Sequence, residues 1–159
     1  MRTVKSVIGI GEYAVSDSRV NSLKTYALAS CVAVTAYSPA KQVGAMIHVA
    51  LPKPGCLEDG YFRPGYYATT GIPIMIDRLI RECGCTKEEL QIRIYGGAES
   101  ISEKDIFHIG RRNVEAVLET LTNMHLKIVK AEVGGRISRT IELDAATGMV
   151  EMHTLPITI

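Results

Sequence analysis

Two apolar runs separated by a single turn constrain this chain more than any other feature. Val32-Ala-Val-Thr-Ala-Tyr37 and Val43-Gly-Ala-Met-Ile-His-Val-Ala-Leu51 flank Ser38-Pro39-Ala40-Lys41. Their β-branched and aromatic content is that of half-buried or fully buried strands, and the polar, proline-containing break between them reads as a turn. Two such neighbours pair antiparallel, so the start of the first faces the end of the second. Cys31, at the mouth of the first run, therefore comes near His48, just ahead of the Leu51-Pro52 end of the second.

A thiol beside an imidazole is a nucleophile beside a base. The ring takes the thiol proton, the thiolate gains strength, and a third group orients the ring. Thr25 is a candidate for that third group. The same residues have a plainer reading, because free cysteine is among the most buried residue types and a strand histidine is often a satisfied core residue. Spacing alone leaves both readings open.

Composition narrows the classes around this pair. With 159 residues, 47% of them hydrophobic and 22% charged, the chain has the content of a single globular domain spanning residues 1–159. Eighteen basic and 17 acidic side chains leave a formal charge of +1, which gives no general electrostatic basis for binding nucleic acid. No apolar stretch reaches the ~20 residues of a membrane span, and the N-terminus lacks the pattern of a signal peptide, so the expectation is a cytoplasmic protein without membrane insertion. Cys31, Cys56, Cys83 and Cys85 form no disulfide framework, and the Cys83-Gly-Cys85 spacing is wrong for a zinc knuckle, so a metal site using His108, His125 or His153 is not expected.

Taken in order, Val4 to Val15 reads as a strand, a glycine-permitted bend and a second short strand, and Ser16 to Lys24 as a polar turn. Pro52 to Gly65 carries too many breakers for regular structure and is either a substrate-side loop or an ordinary connector, with Tyr61, Phe62, Tyr66 and Tyr67 lining a cleft or simply packing. Tyr66 to Cys83 repeats apolar residues at helical spacing, with Pro73 discordant, and Thr86 with Glu89 forms a capping box. Leu90 to Tyr95 is a strand running into Gly96-Gly97, whose N–H groups are suited to cradling an anion or oxyanion.

Gly110 to Met124 is the second long helix. Arg111, Arg112 and Asn113 at its start either bind a carboxylate or phosphate or form a solvated first turn. Strands follow near Leu126 to Val133, Arg139 to Leu143 and Met149 to His153, the last two joined through Ala146-Thr147-Gly148 as a hairpin. The expected fold class is α+β, a layered sandwich with a mixed β-sheet core of about eight strands and two long helices.

Several separate blocks together resemble one family. Ala29-Ser30-Cys31-Val32-Ala33-Val34, Gly44 through Pro52, Tyr95-Gly96-Gly97-Ala98, Ile109-Gly110-Arg111-Arg112-Asn113-Val114-Glu115, and Gly134-Gly135 through Thr147-Gly148 look like the chemoreceptor glutamine deamidases, CheD, in order and spacing. The resemblance implies hydrolysis of the side-chain amide of particular glutamines in chemotaxis receptors, and also of methyl esters. It implies Cys31 as nucleophile, His48 as base and Thr25 as third member, with Ala29 standing where the family has glycine before the Ser-Cys pair. It further implies a fold similar to the catalytic domain of cytotoxic necrotizing factor toxins, and a CheC-type phosphatase as partner.

The expected mechanism is attack by a Cys31 thiolate, formed with His48, on the glutamine carboxamide, and hydrolysis of the resulting thioester. Cys31 N–H, Ser30 and Gly97 are the candidate groups around the oxyanion and substrate. No metal or organic cofactor is required. The competing class is a non-catalytic adaptor that binds CheC or receptor helices.

Overall fold

A computed structural model describes residues 4–100 and 107–157. In chain order the elements are β1 (Val4–Val7), β2 (Tyr13–Val15), β3 (Val20–Leu28), β4 (Val32–Ser38), β5 (Val43–Val49), α1 (Leu57–Phe62), α2 (Ala68–Arg81), β6 (Gln91–Gly96), α3 (Ile109–Asn123), β7 (Ile128–Val133), β8 (Ile137–Asp144) and β9 (Val150–Pro156). The architecture is α+β with mixed sheets. The nine strands among the described residues form two layers, a five-stranded sheet in the order β2-β5-β4-β6-β7 and a four-stranded sheet in the order β1-β3-β8-β9. Each sheet contains one parallel pair, β6 with β7 and β1 with β3.

The apolar hairpin lies at the heart of the molecule. β4 and β5 pair antiparallel with Val32 opposite Val49 and Ala33 opposite His48, and every residue of both strands is buried. The absence of polar alternation follows from having both faces covered. Val32, Val34, Ile47 and Val49 face Ile72, Met75, Ile76 and Leu79 of α2 and Val117 and Leu121 of α3. Ala33, Met46 and Tyr95 point the other way, onto Leu23, Leu28, Ile141 and Leu143 of the four-stranded sheet. Each fully buried Leu or Ile here contributes about 1.5–3 kcal/mol of transfer free energy.

Two local expectations change, and Pro73 finds its place. Ser16 to Lys24 is not all turn, because β3 begins at Val20; its buried Ser22 and Thr25 are tolerated where a strand pattern would want apolar groups since Glu142 accepts from Ser22 and Ile8 from Thr25. The breaker-rich stretch after Pro52 contains α1, a six-residue helix with no buried residue, whose Tyr61 and Phe62 are exposed and packed edge to face. The discordant Pro73 lies inside α2, beyond its first turn. The capping box forms as its spacing requires, and β8 and β9 make the expected antiparallel hairpin. Among the described residues no helix is long and apolar enough to cross a membrane.

Candidate active site

β3 belongs to one sheet and β4 to the other, so Ala29-Ser30-Cys31 is a crossover between layers. Its three successive carbonyls are each held by a donor from the five-stranded sheet's side. Ala98 N–H donates to Ala29 O at 2.7 Å, Asn113 Nδ2 to Ser30 O at 2.9 Å, and Gly97 N–H to Cys31 O at 2.8 Å. The start of α3 is pressed onto this segment: a Cβ at Gly110 would meet Ala98 O at 2.1 Å, and one at Gly97, whose φ is +65°, would meet Val114 Cγ2 at 2.2 Å. Only glycine permits both the close approach and the left-handed backbone.

A β-bulge precedes the crossover. Between Thr25, paired with Ile141, and Leu28, paired with Arg139, β3 carries one extra residue, and Ala27 takes a positive φ of 53°. The bulge turns the chain out of the four-stranded sheet and leaves Thr25 directed inward.

Thr25 meets His48 across the interlayer space. The Thr25 hydroxyl lies 2.6 Å from Ile8 O and 2.7 Å from His48 Nδ1. A hydroxyl has one proton and a carbonyl can only accept, so Thr25 donates to Ile8 and must accept from Nδ1–H. That fixes the neutral ring with its proton on Nδ1 and its lone pair on Nε2. Nε2 is buried and has no hydrogen-bond partner among the described residues. The His48 backbone is held too, its N–H donating to Glu12 O at 3.1 Å and its carbonyl accepting from Gly11 N–H at 2.8 Å.

Cys31 faces the same interlayer space. It packs on the cluster that contains Ala33, Met46 and Tyr95, and Ala33 is the direct cross-strand partner of His48. His48 is thus the cross-strand partner of the residue two positions after Cys31, on the face where Cys31 packs.

Electrostatics modifies the expected resting state. Burial raises the Cys31 thiol above its ordinary value, and burial lowers His48 to about 4. Both shifts favour the uncharged forms. Burial thus weighs against a resting thiolate–imidazolium pair and toward the neutral thiol and the neutral imidazole.

The remaining expected residues divide. Ser30 is half-buried in the crossover, beside Cys31. Gly97 is at the site, but its N–H is committed to the Cys31 carbonyl and is not available to a substrate or an oxyanion. Arg111 and Arg112 are exposed, whereas Asn113 is fully buried. Neither a solvated first turn nor an anion site describes it: its Nδ2 bridges Ser30 O at 2.9 Å and Ala50 O at 3.0 Å. The signal was its spacing, since Asn113, Val117 and Leu121 recur at intervals of four on the apolar stripe of α3. Arg139 is likewise buried, donating from Nη1 to Gly96 O at 3.3 Å and from Nη2 to Gly134 O at 2.9 Å, so it holds the two glycine loops together. A groove of 550 Å³ opens beyond Leu51, between Pro52, Thr69 and the exposed face of α3.

The fold and site define an α+β protein of two packed sheets, one covered by helices, with a thiol and an oriented imidazole on the faces between the sheets. The family model described as CheD chemotactic sensory transduction matches residues 50–154. A protein of Syntrophotalea carbinolica named Probable chemoreceptor glutamine deamidase CheD is 39% identical over 148 residues, covering 92% of this chain and 91% of its own. Chemoreceptor glutamine deamidase CheD of Thermotoga maritima is 40% identical over 145 residues, covering 91% and 88% respectively. This chain belongs to the CheD family. Among solved structures, one titled Crystal structure of Bacillus licheniformis hypothetical protein YfiH aligns with a TM-score of 0.43 at 14% identity, over 72% of this chain and 51% of that one.

Proposed function

We propose that this protein hydrolyses the side-chain amide of glutamines in chemotaxis receptors, with Cys31 as nucleophile, His48 as general base and Thr25 as the group that orients the ring. The observation that carries the reading is the Ile8–Thr25–His48 chain at 2.6 and 2.7 Å, which leaves the Nε2 lone pair as the free basic position. The family names support the substrate: relatives over most of the chain are called chemoreceptor glutamine deamidases.

The neutral resting pair sets the order of steps. As Cys31 Sγ attacks the carboxamide carbon, His48 Nε2 takes the thiol proton, so charge separates only when the sulfur–carbon bond forms. The proton then passes to the departing nitrogen, ammonia leaves, and a thioester remains. Water attacks the thioester with Nε2 again accepting a proton, releasing a glutamate side chain and the Cys31 thiol. The imidazolium formed in each half keeps Nδ1–H on Thr25, so the ring does not have to turn between them. Cys31 N–H and Ser30 are the donors proposed for the tetrahedral oxyanion. The same chemistry applies to glutamyl methyl esters, with methanol as the leaving group. A CheC-type phosphatase is proposed as partner on the family resemblance, to be tested by co-elution of the two purified proteins.

The deciding experiment incubates the protein with a receptor cytoplasmic fragment and follows the gain of about 1 Da per glutamine converted to glutamate. Wild type should convert specific glutamines while Cys31→Ala and His48→Gln do not. Undiminished conversion by Cys31→Ala would end the reading, and binding of the fragment without conversion by wild type would favour an adaptor.

A further inference from the structure

We propose that Asn113 is a positioning residue of this site: one buried carboxamide on α3 sets the placement of Cys31 relative to His48 by holding the crossover carbonyl of Ser30 and the β5-end carbonyl of Ala50 together. The inference rests on the reading of Cys31 as nucleophile and His48 as base.

The geometry is specific. Asn113 Nδ2 has two hydrogens, and they go to Ser30 O at 2.9 Å and Ala50 O at 3.0 Å. Ser30 immediately precedes the nucleophile, and Ala50 lies two residues past the base. The amide cannot be turned over, because its oxygen would then face two carbonyl oxygens with no proton between them. Oδ1 accordingly points away and has no partner among the described residues. A fully buried polar group kept at that cost is usually retained for what its satisfied half does.

Asn113 also completes a set. Ala29 O and Cys31 O are held by backbone N–H groups, which no side-chain substitution removes. Ser30 O is held by a side chain alone among the three, and that side chain is the one that also reaches β5. Asn113 is fully buried, with both Nδ2 hydrogens committed to backbone carbonyls, so it acts on the reacting atoms by placing them. Misplacement of reacting groups by about 1 Å costs up to about 100-fold in rate.

The test compares wild type with Asn113→Leu, which keeps the volume and removes both donors, and Asn113→Ser, which withdraws the reach and admits water. Val117→Ala, which weakens the packing of the same helix on the sheet, is the control for stability. Deamidation of a receptor fragment is measured across substrate concentration, urea unfolding gives stability, and iodoacetamide labelling of Cys31 is read against exposed Cys56 in the same molecule.

Both Asn113 variants are expected to lose about 10- to 100-fold in kcat with KM changed less than about twofold, and to shift the Cys31 to Cys56 labelling ratio by at least about threefold. Val117→Ala should lose stability and keep both readouts. Asn113 variants no slower than Val117→Ala at matched stability would overturn the inference, as would failure of both Asn113 variants to fold when Val117→Ala folds, since that would assign Asn113 to the fold alone. An active Cys31→Ala protein would instead remove the underlying reading, whatever the Asn113 variants do.

Discussion

Thr25 and His48 lie in different sheets, and the 2.7 Å contact between Oγ1 and Nδ1 joins the two layers at the point where the chain crosses between them. Because the Thr25 proton is committed to Ile8 O, the contact has a direction, and that direction decides which ring nitrogen is basic.

Thr25→Val keeps the shape of the side chain and removes the acceptor. Nδ1–H is then left unpaired in a buried space, at a cost of about 1–3 kcal/mol in stability. The ring is free to move its proton to Nε2, the tautomer that cannot accept from a thiol. Deamidation should fall by about 100-fold, in the range of lost general-base assistance. Thr25→Ser should retain most of the rate, since it keeps the hydroxyl. Steady-state kinetics on both variants checks this; equal activity in Thr25→Val would mean that another group orients the ring.

Acid should destabilise the fold through His48. Its value is lowered from 6.5 to about 4 by burial, so between those pH values the unfolded chain binds a proton that the folded chain refuses. Stability contributed by the neutral ring is complete above pH 6.5 and is lost as pH falls toward 4, a loss on the order of 3 kcal/mol. Urea unfolding of wild type and His48→Gln at pH 7.5 and 4.5 isolates the effect. The gap between the two proteins should close or reverse in acid, and a gap independent of pH would show that His48 titrates normally.

Cys31 should not behave as a preformed thiolate. With burial raising the thiol and the ring uncharged, iodoacetamide labelling of Cys31 should climb steadily from pH 6 to pH 9, and exposed Cys56 should label first at pH 8. Peptide mapping after a short pulse reads both. A plateau for Cys31 below pH 8 would restore the ion pair.

The parts of this molecule that could be read directly from sequence are those where local pattern and burial agree. The continuous apolar runs of β4 and β5 give the central hairpin, the pairing of its ends sets Val32 opposite Val49 and Ala33 opposite His48, and Thr86 with Glu89 caps as spelled. The unreadable parts are those where a distant partner changes the meaning of a residue. Ser22 looks like a turn residue until Glu142 supplies its bond, and the start of β3 is hidden as a result. Gly97 looks like an anion cradle until its N–H is found on Cys31 O. Asn113 shared a run with two exposed arginines, and only its period with Val117 and Leu121 marks it as inward. The burial that raises the Cys31 thiol and lowers His48 is hidden for the same reason, since neighbours in sequence carry no measure of dehydration.

The bulged end of β3 and the three-residue crossover place one of the chain's links between the two sheets at the reactive region itself. A small slide of one layer over the other would separate Thr25 from the ring, and with it the correct tautomer, while leaving the apolar packing of the helices on the inner sheet intact. Catalytic output in this protein is thus a gauge of how well the layers are registered, and it should fade under mild denaturant before any helix is lost.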